Sequence, residues 1–181
     1  MPIMTQASLT QRHRGFTLVE ILVVMGIIVG LAALIVPLSR SFMAKSRQAS
    51  CLGNLRQIGI AIESYLQDHN DTMPNLEAGR KSRTEDIPVM ENTLIEYLSN
   101  EEVFHCPEDK IHFQESGSSY LWNSTQSGRN KHRLMFFGVQ GDSSRIPLVT
   151  DKEGWHPGET SVNILYADYS ASKEFKFRTS P

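Results

Sequence analysis

Only two cysteines, Cys51 and Cys106, occur in the 181 residues. That excludes a disulfide-dense scaffold and a metal site built from four thiolates. The first 15 residues hold no apolar core, so they do not read as an ordinary secretory signal. Basic residues are not in excess: 18 Lys and Arg stand against 20 Asp and Glu, a formal net charge of −2. A general nucleic-acid binder normally shows a basic footprint, so no specific nucleic-acid partner is expected. Catalytic signatures are missing as well. There is no Gly-x-Ser-x-Gly nucleophile turn and no His-Glu-x-x-His helix, and the chain is read as non-enzymatic.

The most informative absence is of charge. Between residues 16 and 38 the only ionisable side chain is Glu20. As a helix these positions extend roughly 35 Å, enough to cross a hydrocarbon core of about 30 Å. A soluble core helix is rarely apolar on every face for six turns. A lone carboxylate in such a run costs several kcal/mol, on the order of 2–4, unless it is paired or protonated. Either Glu20 lies near the headgroups or protonates, or it meets a cation. No Lys or Arg follows it within the span, so such a cation has to come from outside the helix. Gly26 and Gly30 form a Gly-x-x-x-Gly pair that would let helices approach closely. Pro37 lacks an amide hydrogen and is expected to kink or locally open the helix.

The segment Arg12-His13-Arg14-Gly15 before Phe16-Thr17-Leu18-Val19-Glu20 resembles the type IV pilin and type II secretion pseudopilin superfamily. The resemblance implies cleavage by a membrane prepilin peptidase between Gly15 and Phe16, and methylation of the new Phe16 amine. It implies that Glu20 pairs with the N-terminal amine of a neighbouring subunit and sets the register, and that the helix bends or melts at Pro37 during assembly. Other pilin or pseudopilin subunits, an inner-membrane assembly platform and membrane lipid are the implied partners. Loss of the two leader arginines would leave 16 basic against 20 acidic residues, about −4. Arg40, Lys45 and Arg47 follow the span, so the positive-inside count does not orient it. The resemblance does, with a cytoplasmic leader, a single pass of the bacterial inner membrane and a periplasmic remainder.

A second resemblance covers more of the chain. Cys51-Leu52-Gly53-Asn54-Leu55-Arg56-Gln57-Ile58-Gly59 and Cys106-Pro107-Glu108-Asp109 are similar to a pseudopilin-like subgroup. That subgroup ends in His-x-Gly, then Asn-x-Leu-x-Ala-Asp-Gly. Here the pattern reads His156, Gly158, Asn163, Leu165, Ala167 and Asp168, with Tyr169 replacing the final Gly. That substitution puts the tight turn after Asp168 in doubt. If both cysteines lie in the periplasm, they are candidates for a disulfide that closes a long loop. Two reduced thiols are the alternative.

Beyond the span, Leu52, Leu55, Ile58 or Gly59, Ile62 and Tyr65 or Leu66 recur at steps of three and four. They predict that the helix continues to about His69 with one apolar stripe, packed against a sheet. Residues 76–88 read as a solvated loop, and residues 92–98 as a short helix. Strands are expected at residues 118–122, 134–139, 146–150, with Pro147 near the start, and 162–166, with two unequal faces. Phe175 and Phe177, alternating with Lys173, Lys176 and Arg178, suggest a final half-exposed strand. The predicted organisation is a basic leader (1–15), a transmembrane or filament-core helix (16–38), and a helix continuation with a periplasmic globular domain (39–181). The fold class is α+β and pilin-like: a long N-terminal helix, membrane-spanning in its first half, on a small antiparallel sheet.

The polar cluster near the C-terminus admits three readings. In the first, His156 and Asp168 fix a loop to a hairpin through hydrogen bonds. Asp151, Glu153 and Asp168 are candidate ligands for a hard cation such as Ca2+, although no dense Asp-x-Asp loop surrounds them. A hydrolytic use of His156 has no nucleophile motif beside it. No cofactor is otherwise expected. The chain is thus read as a structural filament subunit of a type II secretion pseudopilus or type IV pilus. The alternatives are a minor pilin binding a ligand, surface or DNA at a filament tip, or an unprocessed single-span protein with a periplasmic binding domain.

Overall fold

The computed structural model describes residues 17–157 and 160–176. The expectations on Gly15, Phe16, Gly158, Phe177 and Arg178 therefore lie outside the described residues, as does the Pro37 side chain. The fold is α+β, with a long N-terminal helix followed by small antiparallel sheets. Helix α1 (Leu18–Asp68) is the first described element, and the chain divides into two compact units between Ser41 and Phe42.

In the first unit every described side chain from Leu18 to Val36 is exposed. Its length and composition are sufficient for a membrane crossing. The run is rich in Val and Ile, which are indifferent helix formers in water. In lipid the backbone has no other way to satisfy its polar groups, and helix results. The helix continues through Pro37, and Ser39 Oγ donates to the Ile35 carbonyl at 2.8 Å.

In the second unit α1 is amphipathic. Gln48, Cys51, Leu55, Ile58, Ile62 and Leu66 are buried at steps of three and four. The stripe begins at Cys51, and Leu52 is only half-buried. Asn70 and Asp71 end the helix with φ of 51° and 58°, a left-handed pair that Asn and Asp tolerate best. The Asp71 and Leu66 backbones then close the turn at 2.9 Å.

The main sheet holds β1 (Tyr120–Trp122), β4 (Pro147–Asp151), β5 (Ile164–Tyr166) and β6 (Ala171–Ser172), antiparallel and in the order β1-β4-β5-β6. Pro147 opens β4, where no ladder amide is missed. Gly59 of α1 lets this sheet come close. A Cβ built there would lie 3.2 Å from Leu165 Cδ1 and 3.2 Å from Tyr169 Cβ.

Several expectations change. Residues 134–139 do not form one strand. They split into β2 (Met135–Phe136) and β3 (Val139–Gln140), joined by a two-residue turn in which Phe137 (φ 43°) and Gly138 (φ 80°) are both left-handed. The predicted helix at 92–98 is shorter: α2 (Met90–Thr93), then a 3-10 turn at Ile95–Tyr97. β5 has no exposed face, because the C-terminal segment folds over it. Tyr166 Oη donates to the Glu174 carbonyl at 2.8 Å and accepts from the Lys176 amide at 2.9 Å. That wrap replaces the expected strand at Phe175. The charged loop at 76–88 is not wholly solvated either. Arg80 turns inward, 3.0 Å from Glu91 and 2.7 Å from the Ser116 carbonyl. Ser116 ends α3 (His112–Ser116).

Candidate assembly site and buried polar nest

The start of α1 carries the first site. Glu20 Oε2 accepts from the Thr17 backbone amide and from Thr17 Oγ1, both at 2.7 Å. In return Thr17 Oγ1 accepts from the Glu20 amide at 3.2 Å. This is a reciprocal capping box, and it satisfies two amides that a helix start leaves unpaired. The carboxylate also faces the positive end of the helix dipole. The acid of the apolar run thus has a partner within its own turn, which the expectation of an external cation overlooked. The signal was legible as Thr-x-x-Glu ahead of an apolar run. An ionised carboxylate has about four acceptor positions, so the cap leaves capacity for an incoming ammonium.

Residues 10–36, which contain this turn, match the family model described as the prokaryotic N-terminal methylation motif. A stretch of 57 residues is 39% identical to the type IV major pilin protein PilA of Myxococcus xanthus. In this segment the chain is similar to the type IV pilin and pseudopilin superfamily. The match covers 32% of the chain and spans about a quarter (26%) of that relative. No solved structure matches the chain. The motif and the apolar helix together mark a membrane-anchored pilin-like N-terminus.

The second site lies inside the globular unit. Cys51 of α1 and Cys106 are joined by a disulfide, with Cα atoms 5.1 Å apart. Cys106 is held in place by its neighbours: its amide donates to Ser119 Oγ at 2.9 Å, and Ser119 Oγ donates to Asp109 Oδ2 at 2.6 Å. Asp109 also accepts the amides of Ile111, His112 and Phe113 at 2.8–2.9 Å, and so caps α3. Burial pushes the Asp109 carboxyl up, but the Ser119 hydroxyl and the three amides outweigh it and hold it below the usual range. The Cys-Pro-x-Asp motif is therefore one structural unit.

Beside the disulfide, His156 Nε2 lies 3.5 Å from Cys106 Sγ and 3.3 Å from Asp151 Oδ2. The His156 and Asp151 side chains are both fully buried. Asp151 Oδ2 accepts the Asn163 amide at 2.6 Å, and Gln48 of α1 donates to Asn163 Oδ1 at 3.4 Å. Burial raises the Asp151 carboxyl, against the pull of His156 and Asn163. Four buried atoms have no partner among the described residues: Asp151 Oδ1, His156 Nδ1, Asn163 Nδ2 and Tyr120 Oη. Burial, with Asp151 nearby, raises the Tyr120 hydroxyl as well.

The structure does not bring His156 and Asp168 together. Asp168 accepts from the Ser170 amide (2.9 Å) and Oγ (2.6 Å) within its own turn. That turn is kept because Tyr169 adopts the left-handed conformation (φ 62°) in place of the subgroup's Gly. The loop after β4 doubles back, with the His156 amide on the Ser161 carbonyl at 3.0 Å, and this delivers the ring to Asp151 instead. Nor do Asp151, Glu153 and Asp168 share a cation site. Glu153 is at the surface, 2.9 Å from His112 Nε2. Among the described residues the one cluster of potential metal ligands is Cys51, Cys106 and His156. Sequence reasoning missed Gln48 and Tyr120, whose burial depends on where the sheet meets the helix.

Proposed function

We propose that the chain is a structural, non-catalytic subunit of a type II secretion pseudopilus or type IV pilus-like filament. Prepilin peptidase cuts between Gly15 and Phe16 and methylates Phe16, and subunits then assemble through α1 on an inner-membrane platform. The observation that carries this reading is the Thr17–Glu20 cap at the head of an exposed apolar helix. The cap holds a carboxylate one turn from the new amine, in an orientation fixed before any neighbour arrives. The amine of the next subunit would complete the pair, and a one-residue slip would leave a charge buried alone. The disulfide favours a periplasmic domain, since such bonds persist in oxidising compartments. Trp122 is buried, with Nε1 on Ser127 Oγ at 2.9 Å, and Trp155 packs against the core. Trp122 thus offers no exposed aromatic surface of the kind a ligand-binding tip subunit would use, and Trp155 is half-buried.

Mass spectrometry of the N-terminal peptide from native membranes tests the reading. A peptide beginning at Phe16 with one added methyl group is expected. Glu20→Gln should be processed equally well but enter filaments poorly. A chain that keeps residues 1–15 beside an active peptidase overturns the proposal.

A further inference from the structure

We propose that Cys51, Cys106 and His156, with Asp151 as the fourth ligand, form a Zn2+ site when the disulfide is reduced. The metal and the disulfide are then alternative closures of the same loop. The two Sγ atoms and a ring nitrogen of His156 lie within 4.8 Å of one another, and all three residues are buried. Two thiolates, an imidazole and a carboxylate are a donor set suited to tetrahedral zinc. Two of the six edges already have the required spacing. With Zn–S near 2.3 Å and Zn–N or Zn–O near 2.0–2.1 Å, a tetrahedron has S–N edges of about 3.5 Å and N–O edges of about 3.4 Å. Cys106 Sγ to His156 Nε2 is 3.5 Å, and His156 Nε2 to Asp151 Oδ2 is 3.3 Å. The sulfurs have to separate to about 3.8 Å, the S–S edge of the same tetrahedron.

The oxidised nest is poorly satisfied, which points to a second occupant. His156 Nε2 faces both a sulfur and a carboxylate oxygen, and a single ring proton cannot serve both. Asp151 Oδ1 has no partner among the described residues. A cation would take a lone pair from the ring nitrogen, the carboxylate and the reduced sulfurs, and so remove their competition for one proton. The chemistry balances. A dithiol delivers two electrons and two protons to the Cys51 and Cys106 sulfurs and leaves as its own disulfide. Zn2+ then displaces the two thiol protons to water, while His156 and Asp151 give lone pairs with no change of oxidation state. Because the metal joins α1 to the Cys106 segment, binding couples to folding of the unit.

The test uses the full chain in detergent, reduced with a phosphine and titrated with Co2+ as a visible probe, with near-UV circular dichroism as the check on fold. The expected result is one Co2+ per chain with the strong visible bands of tetrahedral thiolate coordination, displaced by Zn2+ and absent from the oxidised chain. Cys51→Ser should abolish the bands. His156→Ala should weaken binding at least ~10-fold and change the spectrum, and His156→Cys should restore binding with additional thiolate absorption. Three results would each overturn the proposal: a reduced, folded chain without cobalt bands; bands and affinity unaltered by His156→Ala; or a reduced chain that unfolds and is not refolded by Zn2+.

Discussion

Two glycines on one helix should respond oppositely to the same substitution. Gly53 and Gly59 both lie in the second half of α1, and both weaken the helix relative to alanine. No atom lies within 4 Å of a Cβ built on Gly53. Gly53→Ala should therefore realise the full propensity gain, about 1 kcal/mol. At Gly59 the new methyl group meets Leu165 Cδ1 and Tyr169 Cβ at 3.2 Å and Tyr169 Cα at 3.6 Å. Leu165 is a buried side chain of β5 and could shift only into packed core. Tyr169 cannot give way easily: it is left-handed at φ 62°, and its amide is held by the Tyr166 carbonyl at 2.9 Å. Overpacking costs roughly 1–3 kcal/mol, so Gly59→Ala should be neutral to destabilising by about 2 kcal/mol despite the same propensity gain. The assay is urea unfolding of the detergent-solubilised chain, followed by emission of the buried Trp122. With a slope near 2 kcal/mol/M, the two variants should differ in midpoint by about 0.5–1.5 M. If Gly59→Ala raises the midpoint as much as Gly53→Ala, the close helix–sheet approach does not exist.

Other consequences follow from the buried charges. Arg80→Met leaves Glu91 buried without its cation, and should cost about 3–5 kcal/mol in the same urea assay; the double variant with Glu91→Met should recover most of the loss. Asp109 has a folded pKa below its unfolded value, so its contribution is present above the ordinary Asp range and fades as pH falls through the folded value. Asp109→Asn should therefore destabilise at pH 7 and flatten the acid limb of a stability–pH curve. An unchanged acid limb would show that the four donors do not act on that carboxylate. Asp151, whose carboxyl is raised, works in the opposite direction: its ionised form is the costly one, and acid relieves that cost.

Much of the anchor was legible in the sequence. A run of 23 positions with one acid needs no tertiary information to become a helix, because length and hydropathy alone decide what can cross lipid. The helix stop at Asn70 and Asp71 and the Leu55-to-Leu66 stripe follow from local chemistry and period. Even the cap of Glu20 was written as Thr-x-x-Glu, four residues read locally. The strands were less legible: at two to five residues they are too short for a period to declare itself. The Phe137-Gly138 turn went unnoticed because a bulky aromatic rarely takes a left-handed φ.

What only the tertiary structure decided is the company each polar residue keeps. The sequence suggested Asp168 as the partner of His156, and a backbone fold-back after β4 brings the ring to Asp151 instead. Arg80 looked like one more charge in a solvated loop until Glu91 and the Ser116 carbonyl enclosed it. The separation is physical. Solvent choice, helix caps and helix period act over a few residues and are encoded where they act. Burial of a carboxylate, a ring or a disulfide depends on segments 50 to 115 positions apart meeting in one place, and no local pattern specifies that meeting.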